Sequence, residues 1–574
     1  MKKSMMLSPD EATDSHLTVM ETGRSSGSQT LERRGNSNGG ANARFVAGDK
    51  FFNYQQFGAL RDGGEVRLFS KSYLGIVVST LTSAWVYAFL RYCVRTSLMN
   101  YLSLNRKETT AVMECLLSLP TSFSFFAGLL SDVIPIGGYR RKSYMVIGSV
   151  FSFVMCGGLA VLAFSVDLDT KTENERGDLL VYYMVLIMGA TFGTLILKIA
   201  TDARVIELSQ REPLTTRGAL VINYLLVRTV FETMASWATK SLLQYDAKKR
   251  NFAMQINPLF VFCFLAFISI LPVPFIMRNC CEHSVKQLEA NIMSNMIAAG
   301  VTNVQPKTKI MDRIRSFTRM CQQRAVWQLV LFLSILLATT RFYFGAANST
   351  FKKLANLNPD VSLRSDAIKY FVVIGTMVMW KLSWSNSSWR RCVALSILAL
   401  VSFEATRALL LLYIPEARNQ TVYDGFYIVM GVTDAIITVF SFIPAIEIAE
   451  LGSEGATIGL LQSFRSILAI AMRTLSEQAF KNVAAVKLVQ ESTPHISTLC
   501  GLLMATYGVH ALAFLSVFLL PRQKLDAQQL RVYGGYSKMA CGLLIMIFLV
   551  MFTFAMTVNI MAIMDMATGT TTST

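Results

Sequence analysis

Gly128-Leu-Leu-Ser-Asp132-Val-Ile-Pro135-Ile-Gly-Gly138-Tyr-Arg140-Arg141-Lys142-Ser-Tyr144 is a short polar passage with apolar blocks on both sides. Its glycines permit close approach of helices, and its acid and basic cluster can make charge-assisted contacts. The block that follows, Met145 to Phe164, is close to the roughly 20 residues that a helix needs to cross hydrocarbon. The passage therefore reads as a loop between two membrane-crossing helices.

The same alternation recurs outward from this loop in both directions. Apolar blocks fall near 73–98, 108–131, 143–166, 179–202, 218–243 and 256–278, and again near 325–346, 367–385, 391–413, 423–448, 456–479 and 499–520, with a thirteenth near 539–563. The chain has 574 residues, 53% hydrophobic and 16% charged, which is more apolar surface than a single water-soluble core can hide. Lipid must be part of its solvent.

Six spans, a basic stretch and six more spans is the layout of a transporter built from two similar halves. The expected organisation is a disordered cytoplasmic N-terminus (1–70), a first six-helix bundle (71–279), a cytoplasmic linker (280–323), a second bundle (324–521) and a tail (522–574) with the extra span. The linker carries Lys307, Lys309, Arg313, Arg315, Arg319 and Arg324, so the positive-inside rule places it in the cytoplasm. Counting spans from there puts Arg140-Arg141-Lys142, Arg204/Arg211/Arg217 and Arg390-Arg391 inside as well. Two glycosylation sequons, Asn348-Ser-Thr and Asn419-Gln-Thr, fall outside, and a third at Asn386 falls inside.

The formal net charge of +17 follows from this topology, because the basic residues are scattered among loops. A nucleic-acid partner is not expected. Ten cysteines without a CxxC pair and four histidines without ligand spacing indicate neither a disulfide framework nor a metal site. No cofactor is expected. The first seventy residues are rich in Ser, Gly, Asn and charge and lack a signal-peptide core.

The loop that begins at Gly128 resembles the signature loop between spans two and three of the major facilitator superfamily: a Gly, an Asp four residues on, then Gly and a basic pair. The run Pro135-Ile-Gly-Gly-Tyr-Arg-Arg-Lys-Ser-Tyr is more specifically similar to the folate-biopterin transporter family, as is Thr201-Asp202-Ala203-Arg-Val-Ile-Glu207-Leu-Ser-Gln-Arg211-Glu212-Pro213. The resemblance covers roughly residues 70–520, with its motifs concentrated in the first half. It implies an all-α polytopic fold of two six-helix bundles, to which this chain adds a C-terminal span. It also implies uptake of folates, biopterin or a related small metabolite driven by a proton gradient, and for some similar members S-adenosylmethionine. In this family frame Gly128, Asp132, Gly138, Arg140 and Arg141 form a gating loop that latches one bundle to the other.

Ionisable side chains within spans cost a few kcal/mol each and need a reason. Spans 2, 4, 5, 7, 10 and 11 carry Glu114, Lys198/Asp202, Arg228/Glu232, Arg341, Asp434 and Arg465/Arg473/Glu477, whereas spans 3, 6, 12 and 13 have no Asp, Glu, Lys or Arg in their interiors. Span 9 stands apart with Glu404 and Arg407. Pairs three or four residues apart share a helix face and can neutralise each other. Asp434, Arg465, Arg341 and Glu114 have no such local partner, so theirs must come from another helix, water or a solute. A carboxylate suits the amino and ring N–H edge of a pterin or a coupled proton, and an arginine forks onto an anionic tail. The candidates for solute or proton coupling are Asp434, Glu232 and Asp202 as acids, with Arg228 and Arg465 as anion-binding groups.

These features point to a secondary transporter with a small-molecule substrate and protons as partners, embedded in the lipid bilayer, the plasma membrane being the expected location. The chain has no Gly-x-x-x-x-Gly-Lys-Ser/Thr loop to power an ATP-driven pump. Scattered histidines argue against a membrane enzyme. A metabolite receptor on the same fold is the alternative, and flux measured in vesicles decides between them.

Overall fold

The computed structural model describes residues 59–61, 63–94, 118–165, 173–242, 245–246, 251–252, 258–280, 282, 310–344, 355, 359–450, 452–481 and 496–568. Ten of the described helices are long and apolar enough to cross a membrane: Lys71–Arg91, Lys142–Ser165, Val181–Ser209, Ala219–Thr239, Leu259–Asn279, Trp389–Tyr413, Gln420–Ile448, Glu454–Ser476, Leu499–Val517 and Lys538–Val558. They are spans 1, 3, 4, 5, 6, 9, 10, 11, 12 and 13. Span 7 is the shorter apolar helix Arg324–Thr340. Span 2 is described from its inner part, a 3-10 turn Pro120–Phe123 leading into the helix Ser124–Val133. Span 8 is Pro359–Met379 continued by a π turn Trp380–Trp384. It begins eight residues before its apolar block, because Asp360, Arg364 and Asp366 extend the helix without raising its hydropathy.

Within the first half, span 3 packs on spans 4 and 6, and span 1 on spans 4, 5 and 6. Within the second, span 7 packs on span 11, span 8 on span 10, and span 9 on spans 10 and 12. The halves meet along two seams, spans 2 and 4 against span 11 and span 5 against span 8. Spans 3, 9, 12 and 13 are the least enclosed by protein, as expected of helices whose outer faces meet lipid. The only strands among the described residues are the pair Tyr245–Asp246 and Asn251–Phe252 between spans 5 and 6.

Three segments outside the bundles are built into the fold. The amphipathic helix Ile310–Gln322 precedes span 7, and Phe317 reaches Phe125 of span 2. A second short helix, Lys524–Tyr533, follows span 12 and lies under span 10. The third corrects the expected disordered N-terminus. Residues within 59–70 are docked, with the Leu60 and Arg61 N–H groups donating to the Gln210 carbonyl and Leu68 buried in the core. Leu60, Val66 and Leu68 supply apolar anchors that the polar composition of the preceding stretch conceals.

Span 13 lies over the seam between the halves. Phe548 packs its ring against Phe125 and Phe126 of span 2 and against Phe464 of span 11, and Phe552 meets Phe123 and Phe126. One aromatic cluster thus joins the extra helix to both halves.

Candidate functional site

The gating loop turns at Gly137 and Gly138, both at positive φ (61° and 82°), where an L side chain is strained. This turn returns the chain so that Arg141 points inward beneath span 2. Its guanidinium is fully buried and holds three acids: Asp132 through Nη2, Glu207 through Nε (2.7 Å) and Glu454 through Nη2 (3.2 Å). It also donates to Ser131 Oγ at 2.6 Å. Arg204 pairs with Glu207 (2.8 Å), and Arg61 pairs with Glu454 (2.7 Å). Three acids face three arginines, so the cluster is neutral, which is what a buried ionic group requires.

Asp132 does more than pair with Arg141. Its carboxylate accepts from the N–H of Ala456 (2.6 Å) and, more loosely, of Gly455 (3.4 Å), at the first turn of span 11. Those groups have no partner inside the helix, and the positive end of the helix dipole favours an anion there. Close backbone contact makes this reach possible. A Cβ on Gly128 would stand 2.0 Å from the Gly455 carbonyl oxygen, and one on Gly459 would stand 2.5 Å from the Ser124 carbonyl oxygen. One turn deeper, Ser463 Oγ donates to the Ser122 carbonyl and accepts from the Phe125 N–H, each at 2.7 Å. Arg140 takes no part in this cluster. Its guanidinium lies beside Gly452, and its N–H donates to Glu282.

A second set of contacts closes the other seam at the same end. Arg217 pairs with Glu447 of span 10 (3.0 Å), and Gln528 donates to the same carboxylate (2.7 Å). Gln210 donates to the carbonyls of Ile446 and Ala449. Lys524 donates to the Leu214 carbonyl and to Asn386 Oδ1, and burial pushes its ammonium down to about 8. The described hydrogen bonds and ion pairs between the halves therefore run from the end that carries the Gly128–Tyr144 loop up to Ser463, and this end is shut.

Above this floor the intramembrane charges converge. With a rise of about 1.5 Å per residue, Arg465 stands about 16 Å above Glu454, and Lys198 about the same above Ser209. Both are near the middle of a hydrocarbon layer roughly 30 Å thick. From the first half come Lys198, Asp202, Arg228 and Glu232. Arg228 donates to Glu232 (2.9 Å) and stands 3.9 Å from Asp202, which accepts from the Tyr224 hydroxyl. The second oxygen of Asp202 is buried with no hydrogen-bond partner among the described residues. From the second half come Arg465, Arg341 and Asp434. Arg465 feels the charges of Arg341 and Asp434 in its own half and of Arg228 and Glu232 in the other.

Arg465 thus lies within electrostatic reach of Arg228 and Glu232 in the other half and of Asp434 in its own, while Asp202 is buried beside Arg228. Asp434 and Glu232 keep 44% and 37% of their side-chain surface open although they lie deep in their helices. The partner of Asp434 is Lys369 of span 8, at 2.7 Å. Lys369 also lies over the Tyr427 ring, whose hydroxyl donates to Asp366. Lys369, Asp366, Tyr224 and Tyr427 extend the site beyond the residues singled out from sequence. Asp202 is about 10 Å inside its helix rather than at its end, since Val181–Ser209 runs past the block limit at 202 on the apolar face of Val205, Ile206 and Leu208. Glu404 turns away from the gap and pairs with His510 of span 12. Glu114 and the side chain of Glu477 lie outside the described residues.

Residues 86–530 match the model of the BT1 family. No curated protein matches the chain. Among solved structures, a D-xylose–proton symporter is 12% identical over 78% of this chain and 97% of its own, with a TM-score of 0.52. A major facilitator superfamily proton:xylose symporter bound to 6-bromo-6-deoxy-D-glucose is 11% identical over 78% and 94%, also at 0.52. A bacterial homologue of the iron transporter ferroportin in an outward-facing state is 12% identical over 79% and 99%, at 0.50. At these identities the likeness establishes the fold, that of the major facilitator superfamily with one helix added.

Proposed function

This chain belongs to the BT1 family, a family of membrane transporters, and on that premise we propose that it carries folate, biopterin or a related pterin by proton-coupled alternating access. The observation that carries the proposal is a set of guanidinium groups within electrostatic reach of one another: Arg465 at mid-span, Arg228 across the seam, and Arg341 at the outer end of span 7. Guanidinium groups that repel one another in a low-dielectric space are stabilised by an anion between them. The carboxylates of a folate tail meet that need. The exposed carboxylates of Glu232 and Asp434 suit the amino and N–H edge of a pterin ring, and the buried second oxygen of Asp202 is a further acceptor. A sulfonium cation such as S-adenosylmethionine fits the arginines less well and is the alternative solute.

The cytoplasmic floor supplies the other half of the mechanism. Its contacts are made by residues from both halves, so rocking one bundle against the other breaks them together and opens the site inward. We assign Gly128, Asp132, Gly138 and Arg141 to this latch, with Arg140 beside it, and place the protein in the plasma membrane.

The test is a competition screen in reconstituted vesicles with folate, biopterin, S-adenosylmethionine and simple nucleosides, each with and without a pH gradient. Folate or biopterin should compete best, and an acid-outside gradient should raise uptake. Absence of flux for every solute, with binding retained, would favour a metabolite receptor instead.

A further inference from the structure

The acids around the central gap are compensated by permanent cations: Glu232 by Arg228 and Asp434 by Lys369, with Asp202 near Arg228. Glu404 is different. Its Oε2 lies 2.7 Å from His510 Nδ1, and the other ring nitrogen, Nε2, lies 2.6 Å from the Phe342 carbonyl oxygen. A carbonyl can only accept, so Nε2 must carry a hydrogen. The bond between Nδ1 and the carboxyl group then needs a second hydrogen, either on the ring or on Glu404. In both arrangements the pair holds one proton more than a neutral imidazole beside a carboxylate. We propose that the Glu404–His510 pair is the proton-carrying site of this transporter, separate from the solute site and joined to it through the outer end of span 7.

The proposal rests on the proton-coupled reading of the preceding section. The proton adds to an unprotonated, singly negative pair and leaves it again, with no covalent bond made or broken. His510 is 4% and Glu404 17% exposed, so the carboxyl side is where water can reach. The titratable groups around the pair are Tyr507 of span 12, whose ring lies beside that of His510 and within reach of Glu404 and Arg407, Arg407 one turn along span 9 from Glu404, and Arg341 next to Phe342; Cys500 lies beyond Tyr507, and Tyr423 and Asp424 of span 10 lie beyond Arg407. Arg407 lies against the Tyr423 ring and reaches Tyr507.

The link to solute is the irregular segment that follows span 7. Its helix ends at Thr340, after which Arg341 faces Arg465 while the next carbonyl, that of Phe342, holds the imidazole. Tyr343 N–H donates to Ser476 of span 11, so the segment bridges three helices of the second half. An anion that draws Arg341 and Arg465 together moves the Phe342 carbonyl. His510 then loses an acceptor and with it part of its hold on the proton.

The chain has four histidines, at 16, 283, 495 and 510, so nitrogen NMR of the full-length, histidine-labelled protein in lipid nanodiscs resolves His510, assigned by its loss in H510Q. At neutral pH the pair should hold its proton, seen as a doubly protonated ring or as a carboxylic acid vibration that E404Q removes. A neutral ring beside an ionised Glu404 overturns the proposal. In proteoliposomes, H510Q and E404Q should still exchange labelled for unlabelled biopterin but lose the stimulation of uptake by an acid-outside gradient. Full gradient stimulation in either folded variant likewise overturns it. If the native protein moves no biopterin, the transport reading fails on its own, and the NMR titration still judges the proton pair.

Discussion

Replacing Gly128 by Ala tests the latch most sharply, because the added carbon would meet backbone rather than a movable side chain. The new Cβ would stand 2.0 Å from the Gly455 carbonyl oxygen, whereas ordinary contact begins at 3.4 Å. Spans 2 and 11 must therefore separate by 3.4 − 2.0 = 1.4 Å at this level. The same displacement stretches the Asp132–Ala456 hydrogen bond from 2.6 Å to about 4.0 Å, beyond bonding distance. A hydrogen bond to a charged group contributes about 1.5–3 kcal/mol, and it exists only while the cytoplasmic end is shut. Losing about 2 kcal/mol raises the inward-open population roughly thirtyfold, at 1.4 kcal/mol for each factor of ten. The amide protons of Gly455 and Ala456 report this directly, since Asp132 rather than their own helix holds them. Hydrogen–deuterium exchange of the peptide over 452–460 in lipid nanodiscs should accelerate by about that factor in G128A. Exchange as slow as in the native protein would refute the reasoning.

Three further outcomes follow from the same contacts. Asp434→Asn should abolish uptake and leave Lys369 without its carboxylate, and Lys369→Met on that background should recover surface expression but not transport; a double variant that transports normally removes both from the site. Lys524 is held near 8 in the folded protein against 10.5 for a free side chain, so the folded state binds fewer protons between those values and stability should rise with pH across that window. K524M should flatten this rise in a thermal-shift series, and an unchanged slope would exonerate Lys524. Phe548→Ala in span 13 deletes a ring that joins Phe125, Phe126 and Phe464. Because lipid replaces water as its surroundings, the cost is a packing and ring–ring term of about 0.5–1.5 kcal/mol per pair. Melting of the purified protein should fall modestly, and no change would mean that the helix is not docked at the seam.

The architecture was legible because hydrophobic length is a one-dimensional signal: each crossing helix shows as an apolar block. The latch was half legible. Gly128, Asp132 and Arg141 stand together in one loop, but Glu207 reaches Arg141 across 66 residues and Glu454 across 313, and Arg61 joins only through Glu207 and Glu454, by tertiary packing. Lys369 escaped notice because its block seemed to begin at 367, where a lysine can snorkel to the interface; the helix in fact starts at Pro359 and carries Lys369 inside. His510 gave no signal at all, since a lone histidine among apolar residues has no spacing partner, and Glu404 appeared to pair with Arg407 in its own helix. Of the proposed coupling residues only Asp434 and Arg465 lacked a partner in their own helix; Asp434 finds Lys369 on span 8, and Arg465 lies within reach of charges on spans 5, 7 and 10.

That shared space can be probed at Arg465. With the cytoplasmic end shut, a cysteine placed there should react with a membrane-impermeant thiol reagent added outside, and folate should protect it. Failure to react from the outside, or reaction only with a reagent dissolved in the lipid phase, would contradict a solute path lined by these charges.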